Sequence, residues 1–439
     1  MNRLALAIDH LNDFFGKLAA FAAFALAFLV FYDAFMRYLF HSGSIALQEL
    51  EWYLFDLTFL LSAGYALRHD KHVRVDILYE RFSPKIKAYI RFWDSLLLIV
   101  PFSLILLYYS LDFTWQSFLQ HEASSDPGGL KYRWLIKSII VLFALLLLLQ
   151  AISEAIKVWP KVDPKKAFGV AVVAVGVVAF LARLDIFYPL HPAILMFGLA
   201  LALLMLGFRV AFVFAVVAIV FALVDVDLGL GIFRMLPMRI YGIMQNFTLM
   251  AVPLFILMGL ILEKSDLAKS MLENLGALFG EIRGGLAVGV VIVGAILAAA
   301  TGIVGASVVM MSLITLPVMV RYGYDKALAS GTIAASGTLG QIIPPSIVLI
   351  VLGDVLSVSV GDLFKSAVVP GLLLVAFYIA YILLYAFFRP EAAPPVRLEK
   401  KPTFKELLAS IVPSFCSSSP SLVPSLPVSP RLPSRRLWV

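Results

Sequence analysis

Up to about residue 390 the chain alternates long apolar runs with short polar stretches. The first four runs, 16–35, 47–67, 88–110 and 134–156, each hold about the 20 residues a helix needs to cross a bilayer. A polar linker with Pro160 and Pro164 follows, then further apolar runs at 167–181, 189–206 and 210–224. Residues 229–245 mix Arg234 and Arg239 with Ile, Phe, Met and Leu. That pattern predicts an amphipathic helix, either lying on the membrane surface or packed against neighbouring spans. The uncharged stretch 240–262 contains Pro253, which predicts a kinked helix or a hairpin tip carrying Asn246 and Thr248. A last span is expected over 369–388.

One run breaks the rhythm. No charge occurs among the 37 positions from 284 to 320. As a single helix they would extend ~55 Å at 1.5 Å per residue, against ~30 Å of hydrocarbon. The run is too long for one crossing and too short for two crossings with an ordinary loop. A helix interrupted at membrane depth fits it, with the break at Thr301-Gly-Ile-Val-Gly-Ala-Ser307. Gly302 and Gly305 permit unusual backbone angles. Carbonyls freed there, with the Thr301 and Ser307 hydroxyls, suit a hard cation; close packing of small residues is the alternative. A second phrase, Gly340-Gln-Ile-Ile-Pro-Pro-Ser346, predicts another break at Pro344 and Pro345, or else a plain kink.

Composition removes whole classes of function. Of 439 residues, 62% are hydrophobic and 14% charged, against roughly 45–50% and 25% in soluble domains; this is an all-α polytopic membrane protein. Nucleic acid is not an expected partner despite the net charge of +7, because the basic residues sit in short loops between apolar runs. Those loops set the orientation. Arg68 to Lys87 and Lys157 to Lys166 are basic, whereas 41–46 carries no Lys or Arg and 112–126 is acidic, so both ends of the first four-span unit, and the N-terminus, are expected in the cytoplasm. The first apolar run lacks a small-residue cleavage site and reads as a retained span.

The remaining chemistry is sparse. Glu49, Glu51 and Asp56 share the second span; acids at that depth mark function by default, with interfacial placement or structural pairing as the alternative. His69 and His72 sit in a basic loop without acidic company, as a solvated loop rather than a metal pair. The Asn246-Phe-Thr248 glycosylation triplet is a coincidence at membrane depth. No Ser-His-Asp or His-Glu-x-x-His array and no phosphate-binding loop is present, so no enzymatic activity is expected, and any transport must draw on an ion gradient or on a separate ATPase.

Several phrases in order resemble a fused small-plus-large permease of the tripartite ATP-independent periplasmic (TRAP) transporters. In the small part they are Leu47-Gln-Glu-Leu-Glu-Trp52, the stretch Gly64 to Asp76 with Arg68 and His72, and Asp126 to Trp134. In the large part they are Ala251 to Gly259, Thr301 to Ser307, Gly323-Tyr324, Gly340 to Ser346 and Pro370-Gly371. The resemblance implies a small-permease unit at 1–157, a linker and connecting span at 158–188, and at 189–412 the first inverted repeat of an elevator-type transport domain. It implies sodium-coupled import of an organic acid across the bacterial inner membrane, with a periplasmic solute-binding protein as partner, membrane lipid around the chain, and no cofactor beyond Na+. Sodium is expected at Thr301, Gly302 and Ser307. Asn246, Thr248, Gly305, Gly340, Pro344, Pro345 and Ser346 are expected to complete the ion and substrate site. Glu49, Glu51, Arg68, His72 and Asp76 would be scaffold polar residues.

Three departures qualify that expectation. Arg209 stands in Gly207-Phe-Arg-Val-Ala-Phe where the family usually has proline, a local variation, and Lys131 replaces an apolar or proline position harmlessly. The second repeat, with its own break and Pro-Pro phrase, is missing. From Pro413 a Ser/Pro-rich tail, expected to be disordered, reads like DNA translated out of frame. The alternative function is therefore a non-transporting scaffold or remnant of such a permease. A membrane-embedded enzyme ranks last, since beyond Glu49, Glu51 and Asp56 no cluster of ionisable residues falls within the bilayer.

Overall fold

The computed structural model describes residues 2–396 apart from 167–168, 170–175, 177–191, 225–228, 265–270, 272–273, 275–277 and 302–303. The described residues are helical throughout, with no strand beyond one isolated bridge between Arg74 and Arg209. The chain forms two compact units, Met1–Asn246 and Phe247–Val439. The connecting span expected at 167–181 and the tail from 413 lie outside the described residues.

In the first unit, helix α1 runs Asn2–Phe40 and α2 runs Ile45–Arg68. A four-residue turn, α3, covers Asp76–Tyr79. Helix α4, Pro84–Trp93, starts at a Ser83 cap with proline at its first position, as helix chemistry favours. It continues through a π-helical turn, Asp94–Ile99, into α5, Val100–Leu119. Pro101 explains that turn: it has no N–H for the carbonyl one turn back, and the wider π turn absorbs the mismatch. Helix α6 spans Arg133–Val158. Helices α1, α4–α5 and α6 are long and apolar enough to cross a membrane. Helix α2 is also long enough, ~36 Å, but three acids interrupt its apolar character. The phenylalanines of α1 at 14, 21, 24, 28, 31 and 35 are exposed, as expected of side chains that meet lipid tails.

Helices α7, Pro192–Met205, and α8, Val210–Val224, pack onto this bundle. Ala200, Phe212, Val213 and Val217 share one buried cluster with Leu67, Leu98, Ile99, Leu147 and Ala151. The amphipathic stretch forms a 3-10 turn, Leu230–Met235, and α9, Leu236–Met244. Leu236, Ile240, Tyr241 and Met244 pack on Trp52, Leu106 and Ile136, while Arg234 and Arg239 are exposed. Packing against neighbouring spans is therefore the realised alternative.

The uncharged stretch 240–262 is not one kinked helix. It breaks at Gln245–Asn246, and Pro253 lies inside α10, Phe247–Lys264. The second unit continues with α11, Gly285–Thr301, α12, Val304–Arg321, and α13, Lys326–Thr338. After a 3-10 turn, Leu339–Gln341, come α14, Ile347–Leu356, and α15, Val360–Phe388. Helix α15 begins nine residues before the expected 369, with Asp362 and Lys365 in its first two turns. Its core is aliphatic: Val290, Val291, Val293, Leu297, Met311, Met319, Ile333 and Leu339 are all buried.

Candidate functional site

The break expected in the uncharged run falls at Gly302 and Ile303, which lie outside the described residues; α11 and α12 are described on either side of them, to Thr301 and from Val304. Ser307, in the first turn of α12, is buried. The second phrase divides two short helices. Helix α13 stops at Thr338, the chain turns through Gly340 and a cis Pro344–Pro345 bond, and α14 starts at Ile347. With ten residues, α14 is half the length that a crossing requires. Ser346 holds its entry: the buried hydroxyl donates to the Gln341 carbonyl at 2.7 Å and accepts from the Leu349 N–H at 3.4 Å. That satisfies a donor the first turn cannot pair within the helix.

These two phrases come together in the second unit. The Leu339–Gln341 turn packs against α11 and touches α12, and α10 packs on both α11 and α14. Leu297, near the end of α11, shares a buried cluster with Leu339 at that turn. Thr248 is in the first turn of α10, and Asn246 closes the first unit. Sequence reasoning missed the residues that allow this closeness. A Cβ at Gly294 would meet Ser336 Cβ at 2.5 Å, and one at Gly337 would meet Val308 Cγ2 at 2.2 Å. Small-residue packing thus operates among α11, α12 and α13. The i, i+1 pair Ser336–Gly337 in Ala-Ala-Ser-Gly-Thr was the available signal.

The scaffold residues act differently. Glu49 is buried and structural: it accepts from Arg133 Nη2 at 2.5 Å, from the Ser124 hydroxyl and from the Leu130 N–H. It thereby ties α2 to the loop before α6. Beside it Lys137 pairs with Glu122 and lies 4.2 Å from the Phe113 ring centre. Burial opposes the Glu122 charge, but the hydrogen bonds from Lys137 and Ser117 and the Lys137 charge outweigh it, and its pKa is lowered. Glu51 and Asp56 are buried on α2, and both Asp56 oxygens lack a hydrogen-bond partner. Arg68 pairs with Asp13 and donates to the Asp9 carbonyl at 2.6 Å. His72 donates from Nε2 to the Ala63 carbonyl at 3.2 Å, and Asp76 is exposed near Arg74. Arg209 is buried and pairs with Asp94 and Asp70. Lys131 is exposed.

Among known families, the DctQ component of the tripartite ATP-independent periplasmic transporters matches residues 26–161, and the DctM component matches residues 197–422. The chain belongs to this family, as a small and a large permease joined in one polypeptide. It is 36% identical over 177 residues to a C4-dicarboxylate TRAP transporter large permease protein of Pseudomonas aeruginosa, covering 40% of each chain. It is 26% identical over 376 residues to the isethionate TRAP transporter permease protein DctMQ of Oleidesulfovibrio alaskensis, covering 82% of this chain and 56% of that one. The sialic acid TRAP transporter permease protein of Haemophilus influenzae matches at 24% identity over 77% of this chain. The match spans about half or less of these relatives' own length.

Proposed function

We propose that this chain works as the membrane part of a sodium-coupled secondary transporter. It imports an organic acid handed over by a periplasmic solute-binding protein, across the inner membrane, with its N-terminus in the cytoplasm. The observation that supports this reading is the helix interruption at 339–346, packed against α11 and α12 in a unit whose described buried polar side chains are hydroxyls. Interrupted helices expose carbonyls and helix N-termini within the membrane, the former suited to a cation and the latter to a carboxylate. The buried polar side chains described in this unit, Ser307, Thr315, Thr332, Ser336 and Ser346, are all neutral oxygens, and neutral oxygens bind an alkali cation without holding it permanently. Thr301, Gly302 and Ser307 are assigned to sodium. Gly305, Gly340 and the Pro344–Ser346 turn frame the substrate, with Asn246 and Thr248 nearby in sequence to the start of α10. Relatives are named for C4-dicarboxylate and sialic acid, which supports an acidic substrate.

The test is uptake of a labelled C4-dicarboxylate into proteoliposomes supplied with the cognate binding protein. Uptake should require both sodium and that protein. Uptake indifferent to both would overturn the reading, and a folded chain with no uptake would favour the non-transporting scaffold.

A further inference from the structure

We propose that Arg209 is a two-carboxylate clamp that docks the DctM-matching part of the chain onto its DctQ-matching part and fixes their register. The turn between α7 and α8 lies across the loop after α2. Val210 N–H donates to the Val73 carbonyl at 3.1 Å, beside the antiparallel bridge of Arg74 with Arg209. Gly207 makes the approach possible: its φ is +85°, and a Cβ there would come 2.7 Å from Tyr79. From this turn the Arg209 side chain, 3% exposed, reaches Asp94 with Nη1 and Asp70 with Nη2 at 2.9 Å. Its backbone N–H also faces Asp94 Oδ1 at 3.4 Å. Asp70 is gripped from its other sides by Arg74 and, at 2.8 Å, by Arg91. Both carboxylates lie in the stretch matching DctQ, and Arg209 lies in the stretch matching DctM.

The surroundings give the clamp its weight. Around it the two parts meet through aliphatic and aromatic side chains. In a bilayer such faces gain little by leaving lipid for protein, so they neither hold strongly nor fix a register. A guanidinium fork between two carboxylates is directional, and its alternative is a buried Asp94 without its partner. Lysine offers a point charge that cannot span both acids, and proline offers none. Arg209 and Asp94 are thus a matched pair, one from each part. This assignment is independent of what the permease carries.

The experiment uses the full chain with a protease site inserted after Lys166, cleaved after purification. The two pieces of the wild-type chain should co-elute on size exclusion. Arg209→Gln with Asp94→Asn leaves no buried charge unpaired, and its uncut form should elute as the wild type. Once cut, its pieces should associate at least about tenfold more weakly. Arg209→Lys, which keeps one contact and the full charge, should fall between the two. Cut pieces of the double variant that stay together as tightly as the wild type would overturn the clamp. So would an Arg209→Lys chain indistinguishable from wild type, or a cut wild-type chain that separates unaided.

Discussion

The two compact units bury polarity in opposite ways. Among the described residues, the first buries charges: Asp9, Asp33, Glu49, Glu51, Asp56, Asp94, Arg133, Lys137 and Arg209. Among its described residues the second buries hydroxyls as its only polar side chains, and an ion pair there, Asp362 with Lys365 at 3.8 Å, is exposed. A buried ion pair is costly to break and so holds one arrangement. A hydroxyl with a spare lone pair, beside interrupted backbone, can exchange partners with an incoming ion at little cost. The contrast places the ion pairs that are costly to break in the first unit, and it is the second unit's neutral oxygens on which the proposed binding role rests.

The largest effect expected from breaking this contrast is at Arg133. Its side chain and that of Glu49 are 7% and 5% exposed. Arg133→Met leaves the Glu49 carboxylate buried without its cation, a change worth about 3–5 kcal/mol of stability. Thermal unfolding in detergent should show it, and the companion Glu49→Leu should recover most of the loss. A loss below about 1 kcal/mol, the range of surface pairs, would remove Glu49 from the frame.

In the second unit the matching change is steric. Gly337→Val places a Cβ 2.2 Å from Val308 Cγ2, between helices α12 and α13 that meet closely there. Overpacking of this kind costs about 1–3 kcal/mol. Gly331, where a Cβ meets nothing within 4 Å, is the control, and Gly331→Ala should be tolerated. Equal stability of Gly337→Val and the wild type would mean that these helices are not held by small-residue packing.

How much of this was legible beforehand follows the same division. Spans appear in a sequence wherever apolar runs end at charges, so α2, α6 and α8 fall within a residue or two of their expected limits. Breaks are legible only where glycine or proline concentrates, as at Pro344–Pro345; the one expected at Thr301–Ser307 falls on residues outside those described. The break at Gln245–Asn246 carries neither, so Pro253 drew attention seven residues too late. Partners of charges were not legible at all. Arg209 is 115 residues from Asp94 and 139 from Asp70, and only folding joins them. Asp362 and Lys365 hid the start of α15, because an interfacial first turn tolerates charge that a hydropathy reading takes as its end.

The smallest effect comes from protons, and it sharpens the comparison because it belongs to the first unit's loops. Burial lowers the His72 pKa, the Arg209 charge lowers it further, and the hydrogen bond to the Ala63 carbonyl opposes both. Burial works against the Asp70 carboxylate too, yet the hydrogen bond from Arg74 and the charges of Arg209, Arg74 and Arg91 outweigh it and lower its pKa. Both folded pKa values lie below the unfolded ones, so the unfolded chain binds more protons and stability rises with pH. The His72 contribution is complete above about pH 6.5 and is lost as pH falls from there toward its folded value. Asp70 and Glu122 add a second loss that begins only near pH 4. Melting temperature measured from pH 8 to 5 should therefore fall by a small step, and His72→Gln, which can still donate to Ala63, should flatten it. A step that survives His72→Gln would place the proton elsewhere, and the loop around Asp70 and Arg209 would then owe nothing of its pH dependence to the imidazole it encloses.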